Sequence, residues 1–160
     1  MDSFERSIHL NARKLDDDRL QITSSLLDLE HAFLLELTVR ISTQTIESAK
    51  ATMNRAPLSR CFAAVERFSR LEGLPIKRGI IKEMHSRFGG PKGCIHLMEL
   101  LNDVVRFTSM LLLGESLGYS PGMKENMTEE EIIAEGMKKL RNTCLVFADG
   151  QEEAGTQPFE

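Results

Sequence analysis

The side chains able to do chemistry in this chain of 160 residues are few: three cysteines, at positions 61, 94 and 144, and four histidines. Cys94 sits in "GGPKGCIHLMELL", Gly89 to Leu101, behind three glycines and a proline and two residues ahead of His96. Cys61 follows Pro57 where another apolar helical pattern begins. A helix N-terminus presents unpaired amides and a partial positive charge, which stabilise a thiolate. If two such helices lie on one face of a sheet with their N-termini at the same end, the two sulfurs converge. Thiolates with an imidazole suit zinc, copper(I) or an iron-sulfur cluster. The candidate metal or sulfur-accepting residues are therefore Cys61 and Cys94, with His96 and Cys144 as further ligands.

The same residues have an ordinary reading. Free cysteine behaves as a small buried hydrophobe, and Cys61 shares an apolar stripe with Leu58, Val65 and Phe68. In a regular helix Cys94 and His96 stand about 200° apart, so they meet only if the helix begins at Ile95 or His96. His96 also shares a face with Glu99 and Asp103, as a His-carboxylate pair does, and Asp28 with His31 reads as a polar pair at a strand end. His9 and His85 have no informative neighbours. No CxxC, HExxH, GxGxxG, P-loop or GxSxG occurs, so the strong catalytic signatures are absent. A thiol enzyme would need a base beside one sulfur, for which His96 is the candidate.

The elements that must position these groups follow from periodicity. Ile8, Leu10 and Ala12 alternate with polar residues, "DDD" at 16 to 18 turns the chain, and Leu20, Ile22, Ser24 and Leu26 resume the period of two. Phe33, Leu35, Leu37, Val39 and Ile41 share one face of a third strand, and a weaker fourth covers Thr45 to Asn54. Apolar residues then recur at three and four from Leu58 to Leu71, from Ile76 to Phe88, and from Cys94 to Leu113. "TEEE", Thr128 to Glu131, is a capping box opening a fourth helix. Strands first and helices second predict an α+β fold: an antiparallel sheet of three to four N-terminal strands covered on one face by three to four C-terminal helices.

One domain is expected over residues 1–147, with a loop near 115–126 and a disordered acidic tail over 148–160. Net charge is −4, but Asn54 to Lys92 holds nine Lys or Arg against three Glu, a basic stretch that could favour an acidic partner. With no Trp and one Tyr, base-stacking platforms are scarce and nucleic acid is disfavoured as a partner. The acidic second residue and absent apolar leader point to the cytoplasm. The apolar Cys94–Gly114 stretch is interrupted by His96, Glu99, Asn102, Asp103 and Arg106, which excludes a membrane span.

The motifs "L-x-D" at 26 to 28, "Ile-x-x-Ala" at 46 to 49, "AP-x-x-x-C" at 56 to 61, "L-x-G-L-x-I" at 71 to 76 and "GC-x-HL-x-EL" at 93 to 100 resemble the bacterial family called domain of unknown function 2889. That resemblance runs from about Ile8 to Gly114 and takes in Cys144. More distantly, the alternating strand, "Ile-Glu-x-Ala", a cysteine opening a helix and a later Cys/His pair opening a long one are similar to iron-sulfur cluster assembly scaffolds and sulfur-acceptor proteins. This second likeness implies Cys61 as a first ligand and Cys94 with His96 as the last. The scaffolds carry a further cysteine where this chain has only His85 nearby, and their adjacent His-Cys pair is here Cys-Ile-His. The expectation is a non-enzymatic domain that binds zinc or an iron-sulfur species, or accepts sulfur. The alternative is a protein-interaction or homo-oligomerisation module in which the cysteines are core residues.

Overall fold

The alternating patterns form four strands, seen in a computed structural model that describes residues 3–116 and 127–150. Strands β1 (Arg6–Asp16), β2 (Arg19–Asp28), β3 (Ala32–Arg40) and β4 (Thr45–Arg55) make one antiparallel sheet in the order β1-β2-β3-β4. The period of two is explicit in β3, where Phe33, Leu35, Leu37 and Val39 are buried. Each such side chain contributes about 1.5–3 kcal/mol on burial, so a slip of one residue in register would expose the set. Ser24 stands in the buried series of β2, and its hydroxyl donates to the His9 carbonyl at 2.9 Å, which offsets its burial. In β4 the pairing shifts between Thr38↔Ser48 and Val39↔Ile46, leaving Glu47 unpaired. That bulge is why Ile46 and Ala49, three apart, both face the core and why the fourth strand reads weakly in sequence.

Helical segments cover the inner face. The predicted helix before Gly73 is wound as 3-10 turns over Ser59–Leu71, with Cys61 N–H donating to the Leu58 carbonyl and Glu72 N–H to that of Ser69. Apolar residues spaced by three, Val65, Phe68 and Leu71, satisfy this tighter winding as well as an α-helix, so periodicity could not separate the two. Gly73 (φ 81) then turns the chain so that its N–H reaches the Ile46 carbonyl, and the Ile46 N–H reaches that of Leu74. Helix α1 runs over Ile80–Phe88, starting later than the Ile76 of the sequence pattern. Helix α2 spans Ile95–Ser116 and buries Leu97, Leu100, Leu101, Val104 and Val105. None of the helices among the described residues is long and apolar enough to cross a membrane.

The chain divides into two compact units, residues 1–112 and 113–160. In the second, α3 (Glu129–Leu140) opens on the predicted capping box: Thr128 Oγ1 accepts from Glu131 N–H, and Glu131 Oε2 accepts from Thr128 N–H at 2.8 Å. Asp149 accepts from Arg141 Nε at 2.6 Å and Asn142 Nδ2 at 2.9 Å, so the first residues of the predicted tail are tied down. The remainder of that tail, from 151, and most of the predicted loop, 117–126, lie outside the described residues.

Candidate functional site at the start of helix α2

Register brings four strand ends together. Arg6 pairs with Asp28, Leu27 with Ala32 and Ala32 with Arg55, so the start of β1, the end of β2, the start of β3 and the end of β4 form one edge. The first turn of α2 meets this edge. Arg6 donates from Nε and Nη2 to Asp28 Oδ2 at 2.8 Å and from Nη1 to Glu99 Oε2 at 2.8 Å, tying two strands to the helix. Arg55 adds a bond to the Asp28 carbonyl at 2.5 Å.

Asp28 and His31 close the β2–β3 hairpin, and both are buried. The Oδ1 of Asp28 accepts from His31 N–H at 2.7 Å, from Glu30 N–H at 2.9 Å and from the His31 ring Nδ1 at 3.0 Å. Burial alone would raise the carboxyl pKa. The hydrogen bonds from Glu30, His31 and Arg6 outweigh it and hold the group well below the ordinary 3.8. The polar pair expected at this strand end is therefore present, and His31 also packs edge-on against Phe33, centroids 5.2 Å apart.

His31 also meets His96, with ring centroids 4.0 Å apart and planes tilted by 45°. His96 Nδ1 in turn lies 4.0 Å from Cys94 Sγ. This contact depends on where the helix starts. Cys94 is the residue before α2, its carbonyl accepting from Met98 N–H at 3.0 Å, so the 200° separation of a regular helix does not apply. Burial, first, with the neighbouring His31 and Arg6, outweighs the nearby Glu99 and Asp28 carboxylates and depresses the His96 pKa below 6.5. This lowering favours the neutral ring, which has a nitrogen free to accept a proton. Glu99, expected to share a face with His96 as its carboxylate partner, is bonded by Arg6.

Cys94 also lines a small apolar pocket with Ala64, Phe68, Phe88, Gly93 and Leu97. The glycine before it serves the chain itself: a Cβ at Gly93 would overlap the Phe88 carbonyl oxygen. Cys61 is half-buried and packs on the core from the 3-10 helix, while Cys144 is exposed in the C-terminal unit. Among the described residues no three His, Cys, Asp or Glu side chains are grouped so that they could hold one metal ion. Of the candidate residues, the structure brings Cys94 and His96 together. Sequence reading missed Arg6, which carries no local signal because its partners lie 22 and 93 residues away.

No curated protein and no solved structure matches this chain. A family model described as "Protein of unknown function (DUF2889)" matches residues 4–109. That stretch covers the whole sheet, Cys61, Cys94 and His96, and ends before Cys144. Since it exceeds half of the chain, the protein belongs to this family.

Proposed function

We propose that this domain is a non-enzymatic thiol acceptor in which Cys94 takes a sulfur atom from the persulfide of a donor protein and His96 receives the proton of the thiol. The observation that carries this reading is the 4.0 Å approach of Cys94 Sγ to His96 Nδ1, on a ring whose pKa burial lowers. The step balances without an added oxidant. The Cys94 proton passes to His96 Nδ1, and the sulfur attacks the terminal sulfur of the donor persulfide. The donor S–S bond breaks, a new S–S bond forms on Cys94, and the donor leaves as a thiolate. Zinc or an iron-sulfur cluster fits less well, because Cys94 and His96 supply two ligands where a closed site uses four. A donor protein would find apolar surface nearby: Ile95 and Leu29, sequence neighbours of the site residues, are 79% and 65% exposed.

The test is incubation of the protein with a low-molecular-weight alkyl persulfide and peptide mass analysis. The Cys94 peptide should gain one sulfur atom. Cys94→Ser should abolish the gain, Cys61→Ser should leave it, and His96→Ala should slow it by about 10- to 100-fold. Equal sulfur uptake by wild type and Cys94→Ser would remove the proposal.

A further inference from the structure

Acceptance of a proton by His96 requires that the nitrogen facing Cys94 be the one without hydrogen, and that the ring keep facing it. His96 is the second residue of α2, in the turn where the helix's own hydrogen bonds are fewest. The ring packs against a neighbour from outside the helix. The residue against it is His31, and His31 is itself fixed. An ionised carboxylate only accepts hydrogen bonds, so the contact of Asp28 Oδ1 with His31 Nδ1 requires the proton on Nδ1 of His31. The carboxylate cannot swing away, because Arg6 and the amides of Glu30 and His31 hold it as well. Phe33 packs edge-on against the same ring.

We propose that Asp28 and His31 are positioning residues for the Cys94 thiol: Asp28 locks the His31 ring, and the locked ring backs His96 so that its Nδ1 stays directed at Cys94 Sγ. The chain of contacts is continuous, from carboxylate to imidazole at 3.0 Å, imidazole to imidazole at 4.0 Å and imidazole to sulfur at 4.0 Å. It crosses three elements: β2 ends in Asp28, His31 leads into β3, and α2 carries His96 just after Cys94. The inference deepens the acceptor reading and rests on it for the purpose of the thiol, although the geometry it describes can be measured separately.

The experiment follows iodoacetamide labelling of Cys94 at neutral pH, resolved by peptide mass, in wild type, His31→Ala, His31→Phe and His96→Ala, with circular dichroism to confirm folding. His31→Ala should slow Cys94 labelling by about tenfold, toward the rate of His96→Ala. His31→Phe keeps a flat ring in the same place but cannot bond Asp28, so it should recover only part of the rate, falling between His31→Ala and wild type, and full recovery would show that the Asp28 bond is not needed. A folded His31→Ala protein labelled as fast as wild type or faster overturns the proposal, as does a His31→Phe protein no faster than His31→Ala. Should neither variant fold, nitrogen NMR of the wild type decides: His31 must carry its proton on Nδ1 and His96 must not, and the opposite pattern in either ring overturns the proposal. Persulfide transfer measured in parallel separates the two readings. If labelling follows the expected order but no sulfur is transferred, the acceptor role fails and the positioning role stands. If sulfur reaches Cys94 equally in wild type and His31→Ala, the positioning role fails.

Discussion

Asp28 is a buried charge whose cost is met by donors on every side, and this has a consequence for stability. Its pKa is lower in the folded chain than the ordinary 3.8, so its contribution is complete above about pH 4 and is lost as pH falls below that value. His96 acts in the same direction at higher pH. Because folding depresses its pKa below 6.5, the unfolded chain binds the proton more readily, and stability declines as pH falls through that region. The urea midpoint should therefore be flat near pH 7 to 8, fall gently below about pH 6.5 and fall steeply below about pH 4. In Asp28→Asn the steep limb should flatten. Asp28→Ala should cost about 2–4 kcal/mol in urea unfolding, since it strands the amides of Glu30 and His31 while Arg6 keeps Glu99 as a partner. At this scale the sequence revealed that Asp28 and His31 pair, because they are three apart across a turn. It did not reveal that His96 completes the series, since nothing local connects positions 31 and 96.

Between elements, the connection from α1 to α2 is tightly constrained. Gly89 and Gly93 each lie where a Cβ would collide with a backbone oxygen, of His85 and Phe88 respectively. Arg67 donates to the Lys92 carbonyl at 2.6 Å, Arg87 to that of Arg70 at 3.0 Å, and Lys92 to that of Ser86 at 2.8 Å. Part of the basic stretch thus serves to satisfy carbonyls around this connection. Gly93→Ala should destabilise the fold by about 1–3 kcal/mol and displace Cys94, read as a lower thermal midpoint together with altered labelling of Cys94. An unchanged midpoint would show that the backbone relaxes freely there. The glycines were legible as features of the sequence. Their purpose, close approach within the chain and not toward a ligand, needed the path of the backbone.

For the whole molecule, the division near Leu112 separates a sheet-and-helix unit from the shorter one holding α3 and Cys144. Among the described residues, every member of the buried hydrophobic core lies at or before Leu112. A chain ending at Ser116 should therefore still unfold cooperatively in urea, as followed by circular dichroism, and should retain Cys94 labelling at the rate of the full chain. A non-cooperative transition would show that the first unit depends on the second. By itself the sequence determined an antiparallel sheet of three to four N-terminal strands, its first hairpin, the long apolar α2 and the capping box of α3. Each of these is written in local periodicity or in a short pattern of donors and acceptors. Only the tertiary structure decided that α2 begins one residue after Cys94 and that its first turn meets the β2–β3 hairpin. Periodicity tells which face of an element is buried; which end of the sheet a helix reaches depends on packing and on bonds such as Arg6 to Glu99, 93 residues apart.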